Sequence, residues 1–326
     1  MADLAANAPH FVVFPMTDVT VPLVVDMIDS GTRLRSALPG RAQYLHAVDK
    51  YYTAEAARGA GIGSPQTFVV SMRNLTACDE GGLSFPVVVK PRRSAQASGG
   101  QIFRRSVSYC RDAETLQTTA KSTLLDENDE VLVQELVVGQ GCGVFALYDH
   151  GQALGFFAHE RLREKPPSGG VSVLSRSVPV PSELRSRVER LLGGMQWHGV
   201  AMVEFKRDQS GEYWLMEINA RLWGSLQLAI DCGVEFPWYM YQLAVGQPVS
   251  FPHCYSIGRY LRWWLGDLDH LYLTFRDADA SIKKKLTTLG RFLMPWRPGL
   301  RYELLRLSDP RPAAFAARDY LRALLR

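Results

Sequence analysis

The chain has 326 residues, enough for two or three domains of ordinary size. With 47% hydrophobic and 21% charged residues it is not a disordered chain, a collagen-like chain or a small disulfide-stapled scaffold. The net charge of +4 is unevenly placed: from Tyr255 to Arg326 there are 14 Lys plus Arg against 7 Asp plus Glu, so the tail carries +7 and the first 254 residues −3.

Along the chain, the opening MADLAANAPH places an acidic residue where a secretory signal would carry basic ones, so a cytoplasmic protein is expected. Phe11 to Phe14 reads as a strand end and Val19 to Ile28 as a helix. A helix over Lys50 to Arg58 is stopped by Gly59, Gly61 and Gly63 and followed by Pro65. Gln66 to Val70 and Pro86 to Lys90 are expected strands, the second almost purely β-branched. A helix over Asp112 to Leu125, a strand over Val131 to Val138, and a strand pair, Gly143 to Tyr148 with Ala153 to Phe157, come next. Ser182 to Met195 is an expected helix. Residues 236–258 lack charged side chains, but Pro237, Pro248, Pro252, Gln242, Gln247 and His253 interrupt them, so no transmembrane segment is expected. The five cysteines, Cys78, Cys110, Cys142, Cys232 and Cys254, are scattered, with no CxxC pair and no finger-like histidine spacing. Neither a disulfide framework nor a zinc site is expected.

Val200 to Arg207 and Glu212 to Ala220 read as two strands joined through Asp208, Gln209, Ser210 and Gly211. If Arg207 pairs with Glu212, Glu204 lies opposite Leu215 and Met202 opposite Glu217. Glu204, Leu215, Glu217 and Asn219 then share one face, with the two glutamates diagonal, about 7–8 Å apart at Cα. Two carboxylates and an amide oxygen on one face are hard donors suited to Mg²⁺. The same residues would also suit a polar, solvent-facing sheet in which the glutamates pair with Lys206 or an arginine. The metal reading is preferred because both lie among Met202, Val203, Phe205, Leu215, Met216 and Ile218. Arg221, two residues past Asn219, would stand beside the same ion, placed to stabilise charge on a phosphoryl group.

VEF (203–205), MEINAR (216–221), FPVVVKP (85–91), DKY (49–51) and QELVVG (134–139) together resemble the ATP-grasp superfamily. Within it they are most similar to carboxylate-amine ligases and carbamoyl-phosphate-synthase-like proteins. The resemblance spans roughly residues 10–250 and implies an α/β (α+β) fold in which a small lid subdomain (64–137) faces a core sheet with the metal hairpin (138–254). Residues 1–63 would be a remnant of an amino-terminal lobe with a linker helix, and 255–326 a basic C-terminal helical region.

The resemblance further implies ATP and Mg²⁺, with Mn²⁺ as a substitute, and small-molecule carboxylate and amine substrates. Lys50 and Lys90 would contact phosphates, the loop with Ser94, Gly99 and Gly100 would close over them, and Gln134, Glu135, Leu136 and Val137 would border adenine. Glu204, Glu217 and Asn219 would hold the metal, and Arg221 would stand beside the transferred phosphate. The segment AHERLREKPPSGG (158–170) would adjoin the acceptor site through Arg161 and His159, unless it is an exposed basic loop.

GQGCG (139–143) stands where many relatives carry a ribose-binding acid, which leaves nucleotide preference open. Only about 48 residues precede Asp49, so most of the amino-terminal lobe is expected to be absent: either the chain is a truncated or mis-started form, or a partner or a second copy supplies the missing surface. The tail, with Lys283, Lys284 and Lys285, reads as a solvated helix face or as a patch for an acidic membrane. No stacking or groove-reading motif marks it for nucleic acid. The alternative to a ligase is a catalytically idle ATP-binding module that docks through this tail. Biotin-dependent carboxylation is not indicated, since nothing marks a carrier or bicarbonate site.

Overall fold

The computed structural model describes residues 11–74, 83–93, 95–98, 101–104, 107–124, 129–294 and 297–324. The elements in chain order are α1 (Thr20–Asp29), α2 (Arg41–Val48), α3 (Lys50–Gly59), β1 (Thr67–Val70), β2 (Val87–Pro91), β3 (Ala95–Ser98), β4 (Gln101–Arg104), β5 (Ser108–Cys110), α4 (Ala113–Thr123), β6 (Val131–Glu135), β7 (Gln140–Asp149), β8 (Gln152–Lys165) and β9 (Val171–Val178). They continue with α5 (Ser182–Gly194), β10 (Gly199–Arg207), β11 (Tyr213–Asn219), α6 (Leu226–Asp231), α7 (Phe236–Ala244), β12 (Tyr260–Arg262), α8 (Trp264–Arg276), α9 (Ile282–Leu293), β13 (Leu300–Tyr302) and α10 (Arg311–Leu324). Among the described helices none is long and apolar enough to cross a membrane.

Two sheets dominate. The smaller has strand order β1-β6-β2-β5, all antiparallel, with α4 packed on one face. Alternation sorts its side chains: Val87 and Val89 face the α4 core with Leu116 and Ala120, while Val88 and Lys90 face a cleft. Helix α4 begins at a capping box in which the Asp112 carboxylate accepts from Thr115 N–H and the Thr115 hydroxyl answers the Asp112 N–H.

The larger sheet has order β11-β10-β7-β8-β9-β12-β13 and is antiparallel except for β12 and β13. Both faces are covered. On one side Val144, Ala146, Val203 and Phe205 pack with residues of α1, α2, α3 and α5. On the other, Phe145, Leu147, Phe157 and Met202 pack against Trp223, α6 and α7. Trp197, fully buried, donates its indole N–H to the Val200 carbonyl and anchors the start of β10.

Several expectations need adjustment. The stretch expected as a strand at Phe11 to Phe14 is reduced to one bridge, Val12 with Arg35. The basic segment 158–170 is no exposed loop through its first half: β8 runs unbroken to Lys165 in the middle of the sheet. Cys110, Cys142 and Cys232 are buried and free, whereas Cys254 is exposed.

The N-terminal segment is sealed onto the sheet at Gly199. Its φ is +86°, and a Cβ there would stand 2.2 Å from the Ala37 carbonyl oxygen. Gly199→Ala therefore combines left-handed strain with a backbone clash, and is expected to cost about 2–4 kcal/mol in urea unfolding.

Candidate active site

The hairpin of β10 and β11 is set by its turn. The Asp208 carboxylate accepts from the Ser210 hydroxyl, the Glu212 N–H and the Trp214 indole N–H, and these bonds pull its pKa down to about 2. The turn thereby takes in Glu212, so Arg207 pairs with Tyr213 rather than with Glu212. A second shift follows at Glu204 and Phe205, where β11 spends one extra residue, Met216, as a bulge. The expected register is thus corrected by two residues. Glu204 lies directly opposite Glu217, not diagonal to it, and Met202 opposite Asn219. The bulge also turns Leu215 to the other face, into the core with Phe205, so it does not share a face with Glu217.

Glu204 and Glu217 line a cleft of about 660 Å³ between the two sheets. Lys50 and Lys90, the segment Gln134, Glu135, Leu136 and Val137, Arg161, Lys206, Asn219 and Arg221 border it too. Lys50 comes from the first turn of α3, where Asp49 caps the helix by accepting from Tyr51 and Tyr52 N–H. Its ammonium lies 3.4 Å from Glu217 Oε2. Lys90 projects from the cleft face of β2; burial, and next the Lys50 charge, bring its pKa down to about 8. Lys206 donates to the Val137 carbonyl, and Gln134 Nε2 donates to the Thr67 hydroxyl. Ser94, Gly99 and Gly100 lie outside the described residues.

The carboxylate pair is unequal. Burial pushes Glu204 up, Arg161 pulls it back and Glu217 adds to the rise, leaving it above the usual carboxylate range. Burial acts on Glu217 in the same sense, but Lys50, the Asn219 amide and Lys90 outweigh it and hold it low. Asn219 Nδ2 donates to Glu217 Oε1 at 3.1 Å, which leaves the amide oxygen as an acceptor. Two opposed carboxylates with an adjoining amide oxygen form an all-oxygen donor set, and this chemistry fits a hard divalent cation.

Two arginines have partners that sequence spacing did not disclose. The Arg161 guanidinium grips Glu204 with two contacts of 2.6 Å, bonds Glu164 Oε1 at 3.2 Å, and donates to the Gly170 carbonyl. Burial disfavours its charge, yet Glu204 and Glu164 outweigh this and raise its pKa. Arg161 is thus committed to a carboxylate of the protein and is not a free acceptor-site cation. Arg221 is held by Asp18 through Nε at 2.6 Å and Nη2 at 3.1 Å, across 203 residues of chain, while still lining the cleft beside Glu217 and Asn219.

His159, expected at the acceptor site, is 1% exposed and does not line the cleft: it stacks edge-on against Phe145, its Nδ1 lies 3.2 Å from the Ser225 hydroxyl, and its Nε2 has no partner among the described residues. Burial, and then Arg161, hold its pKa well below the ordinary histidine value, so it is a neutral packing residue. Arg163 and Lys165, from the same basic segment, are consumed by Asp267 and Asp269.

Residues that local motifs did not reveal include Asp18, Glu164, Trp223, Trp263 and Glu303. Their role is visible only in the assembled fold, and no spacing in the sequence joins them. Arg161→Met would leave Glu204 buried beside Glu217 without its guanidinium. The expected cost is about 3–5 kcal/mol at pH 8. The loss should shrink at pH 5, because a raised carboxylate pKa makes the folded form take up a proton that relieves the repulsion. Urea unfolding at the two pH values checks this.

Comparison with known proteins adds to this picture. Residues 127–258 match the family model described as ATP-grasp in the biosynthetic pathway with Ter operon. A putative D-alanine–D-lactate ligase of Streptomyces coelicolor is 28% identical over 189 residues, covering 53% of this chain and 51% of that protein. The chain thus spans about half the length of the curated relative it matches. Among solved structures, the biotin carboxylase domain of a Hydrogenobacter thermophilus 2-oxoglutarate carboxylase aligns with a TM-score of 0.63 at 15% identity. That alignment covers 79% of this chain and 59% of the other. The L-amino acid ligase of Bacillus licheniformis aligns with a TM-score of 0.57 at 17% identity, over 74% and 58% of the two chains. The two-sheet cleft, these alignments and the matched segment identify the architecture: the chain is built on the ATP-grasp fold.

Proposed function

We propose that the protein is an ATP-dependent ligase that activates a carboxylate as an acyl phosphate and joins it to an amine. The observation that carries this reading is the opposed pair Glu204 and Glu217, with Asn219, set in one cleft with Lys50, Lys90, Lys206 and Arg221. The names of the Streptomyces and Bacillus relatives, both ligases, support the activation of a carboxylate; the acceptor named for the Streptomyces protein, D-lactate, is a hydroxy acid, and that named for the Bacillus protein an amino acid.

In this reading ATP lies between the sheets, with the adenine along Gln134 to Val137 and the phosphates toward the lysines. Mg²⁺ held by Glu204, Glu217 and Asn219 would supply charge neutralisation on the phosphate oxygens. Lys50 and Lys90 bind the phosphate chain, and the depressed pKa of Lys90 is expected to rise again once an anion faces it. Arg221, kept charged and oriented by Asp18, faces the γ-phosphoryl group as its bond to the β-phosphate oxygen breaks, ADP leaves and the group passes to a substrate carboxylate oxygen. The amine then attacks the acyl carbon, phosphate leaves, and the amine proton is lost to solvent or base. The route requires no covalent intermediate on the protein. Closure of the smaller sheet over the cleft would keep water from the acyl phosphate.

Arg161 has a different task here. By neutralising Glu204 it keeps two opposed carboxylates compatible in the same pocket, and so acts as a positioning residue.

The test is phosphate release from Mg·ATP with pooled L- and D-amino acids and simple carboxylic acids, with hydroxylamine added to trap acyl phosphate as a hydroxamate. Hydroxamate formation is expected in the wild type. Glu217→Gln should lower the rate about 100-fold or more while leaving the melting temperature near that of the wild type. A wild-type rate in that variant would refute the metal assignment, and nucleotide binding without turnover on any acid would favour the docking-module reading.

A further inference from the structure

One carboxylate in the cleft belongs to none of the motifs above. Glu303 follows β13, at the opposite edge of the larger sheet from β11, yet it lines the same cavity as Glu204 and Glu217. Its backbone N–H donates to the Arg262 carbonyl, which fixes the segment beside β12. Among the described residues no hydrogen bond or ion pair reaches its side chain.

The charged neighbours on the packed elements are engaged elsewhere, save for Arg306 Nε, which has no partner among the described residues. Arg306, in the loop between β13 and α10, is engaged with Asp231 of α6 through both terminal nitrogens, and Arg301 pairs with the same aspartate. Arg262 of β12 is bound by Asp267 of α8. Lys165 of β8 is paired with Asp269 and lies over the Trp263 ring.

The surroundings of Glu303 also hold unused hydrogen-bonding capacity. Trp263 and Ser225 line the same cleft, together with Trp223 and Ser172. Trp223 is 6% exposed, and neither its indole N–H nor the Ser172 hydroxyl has a partner among the described residues. The indole N–H is a donor only, so it suits an acceptor, such as the carboxylate of an amino acid, and not an ammonium. The same cleft also holds the cations Lys50, Lys90, Lys206 and Arg221. Unlike Glu204 and Glu217, Glu303 has no ion pair among the described residues.

We propose that the end of the cleft bounded by Glu303, Trp263 and Ser225 is a subsite for an ammonium-bearing group of the substrate. The inference deepens the ligase reading and rests on it for the identity of the cleft as a substrate site. A carboxylate without a protein partner is complementary to a protonated amine, and it disfavours a second carboxylate at the same place. Specificity for amino-substituted acids, or for a diamine, would follow from a residue outside the ATP-grasp motifs. Burial raises the Glu303 pKa to about 7, with Arg306 opposing the rise. Its hold on a cation should consequently weaken as pH falls through that range.

Calorimetry with Mg²⁺ and a non-hydrolysable ATP analogue present tests this with three pairs of probes: alanine and propionate, 6-aminohexanoate and hexanoate, lysine and norleucine. In the wild type at pH 8 the more cationic member of at least one pair should bind about tenfold tighter. That preference should fall at pH 6, vanish to within about twofold in Glu303→Gln, and reverse in Glu303→Lys. Equal binding within all three pairs, or a preference that survives in Glu303→Gln, would overturn the subsite. The wild-type comparison alone suffices for this if a variant fails to fold. Phosphate release with the same acids is read separately. Its absence alongside an intact, Glu303-dependent preference would refute the ligase chemistry while supporting the subsite.

Discussion

Two carboxylates held opposite each other on neighbouring strands repel, and much of the cleft is arranged around that repulsion. Glu204 and Glu217 cannot separate without undoing the β10 and β11 pairing, so their charge must be met where it is. Arg161 takes one and Lys50 with Asn219 takes the other. The result is a pocket in which negative oxygen donors and the cations Lys50, Lys90 and Arg161 stand side by side. A hard cation brought in with a nucleotide would share the carboxylates with the protein's own cations, and this competition should set how firmly the pair holds it.

The same constraint explains why distant parts of the chain converge. Asp18 reaches Arg221 from the N-terminal segment, Asp49 caps the helix that delivers Lys50, and the Arg92 guanidinium joins Asp49 to the smaller sheet at 2.7 Å. Each of these acids serves a cation that faces the cleft or ties its two walls together. An ion pair of this kind contributes little net stability compared with packed apolar residues, so its value here lies in orientation.

Much of the fold was legible in sequence because its signals are local. The β-branched run ending at Lys90, the helix after Asp49, and the alternation through Val200 to Arg207 each follow from short-range periodicity or capping. The hairpin register was not legible. Its two shifts come from Asp208 side-chain bonds and from a bulge at Met216, and the second of these has no Gly or Pro to announce it. His159 and Arg161 illustrate another limit. A basic stretch beside a Pro and Gly turn reads as surface, yet β8 continues through it into the middle of a seven-stranded sheet, where one side chain is buried as a neutral ring and the other is spent on Glu204. Glu303 was out of reach entirely, since its place in the cleft depends on the short parallel pair of β12 and β13.

The central claim is that one divalent ion is gripped jointly by Glu204 and Glu217. Electron paramagnetic resonance of Mn²⁺ titrated into the protein with a non-hydrolysable ATP analogue tests it most directly. The expected result is one tightly bound Mn²⁺ per chain in the wild type, weakened strongly by either Glu204→Gln or Glu217→Gln and, when both are combined, by no more than the larger single loss. Unchanged Mn²⁺ binding in the two single variants would contradict the account.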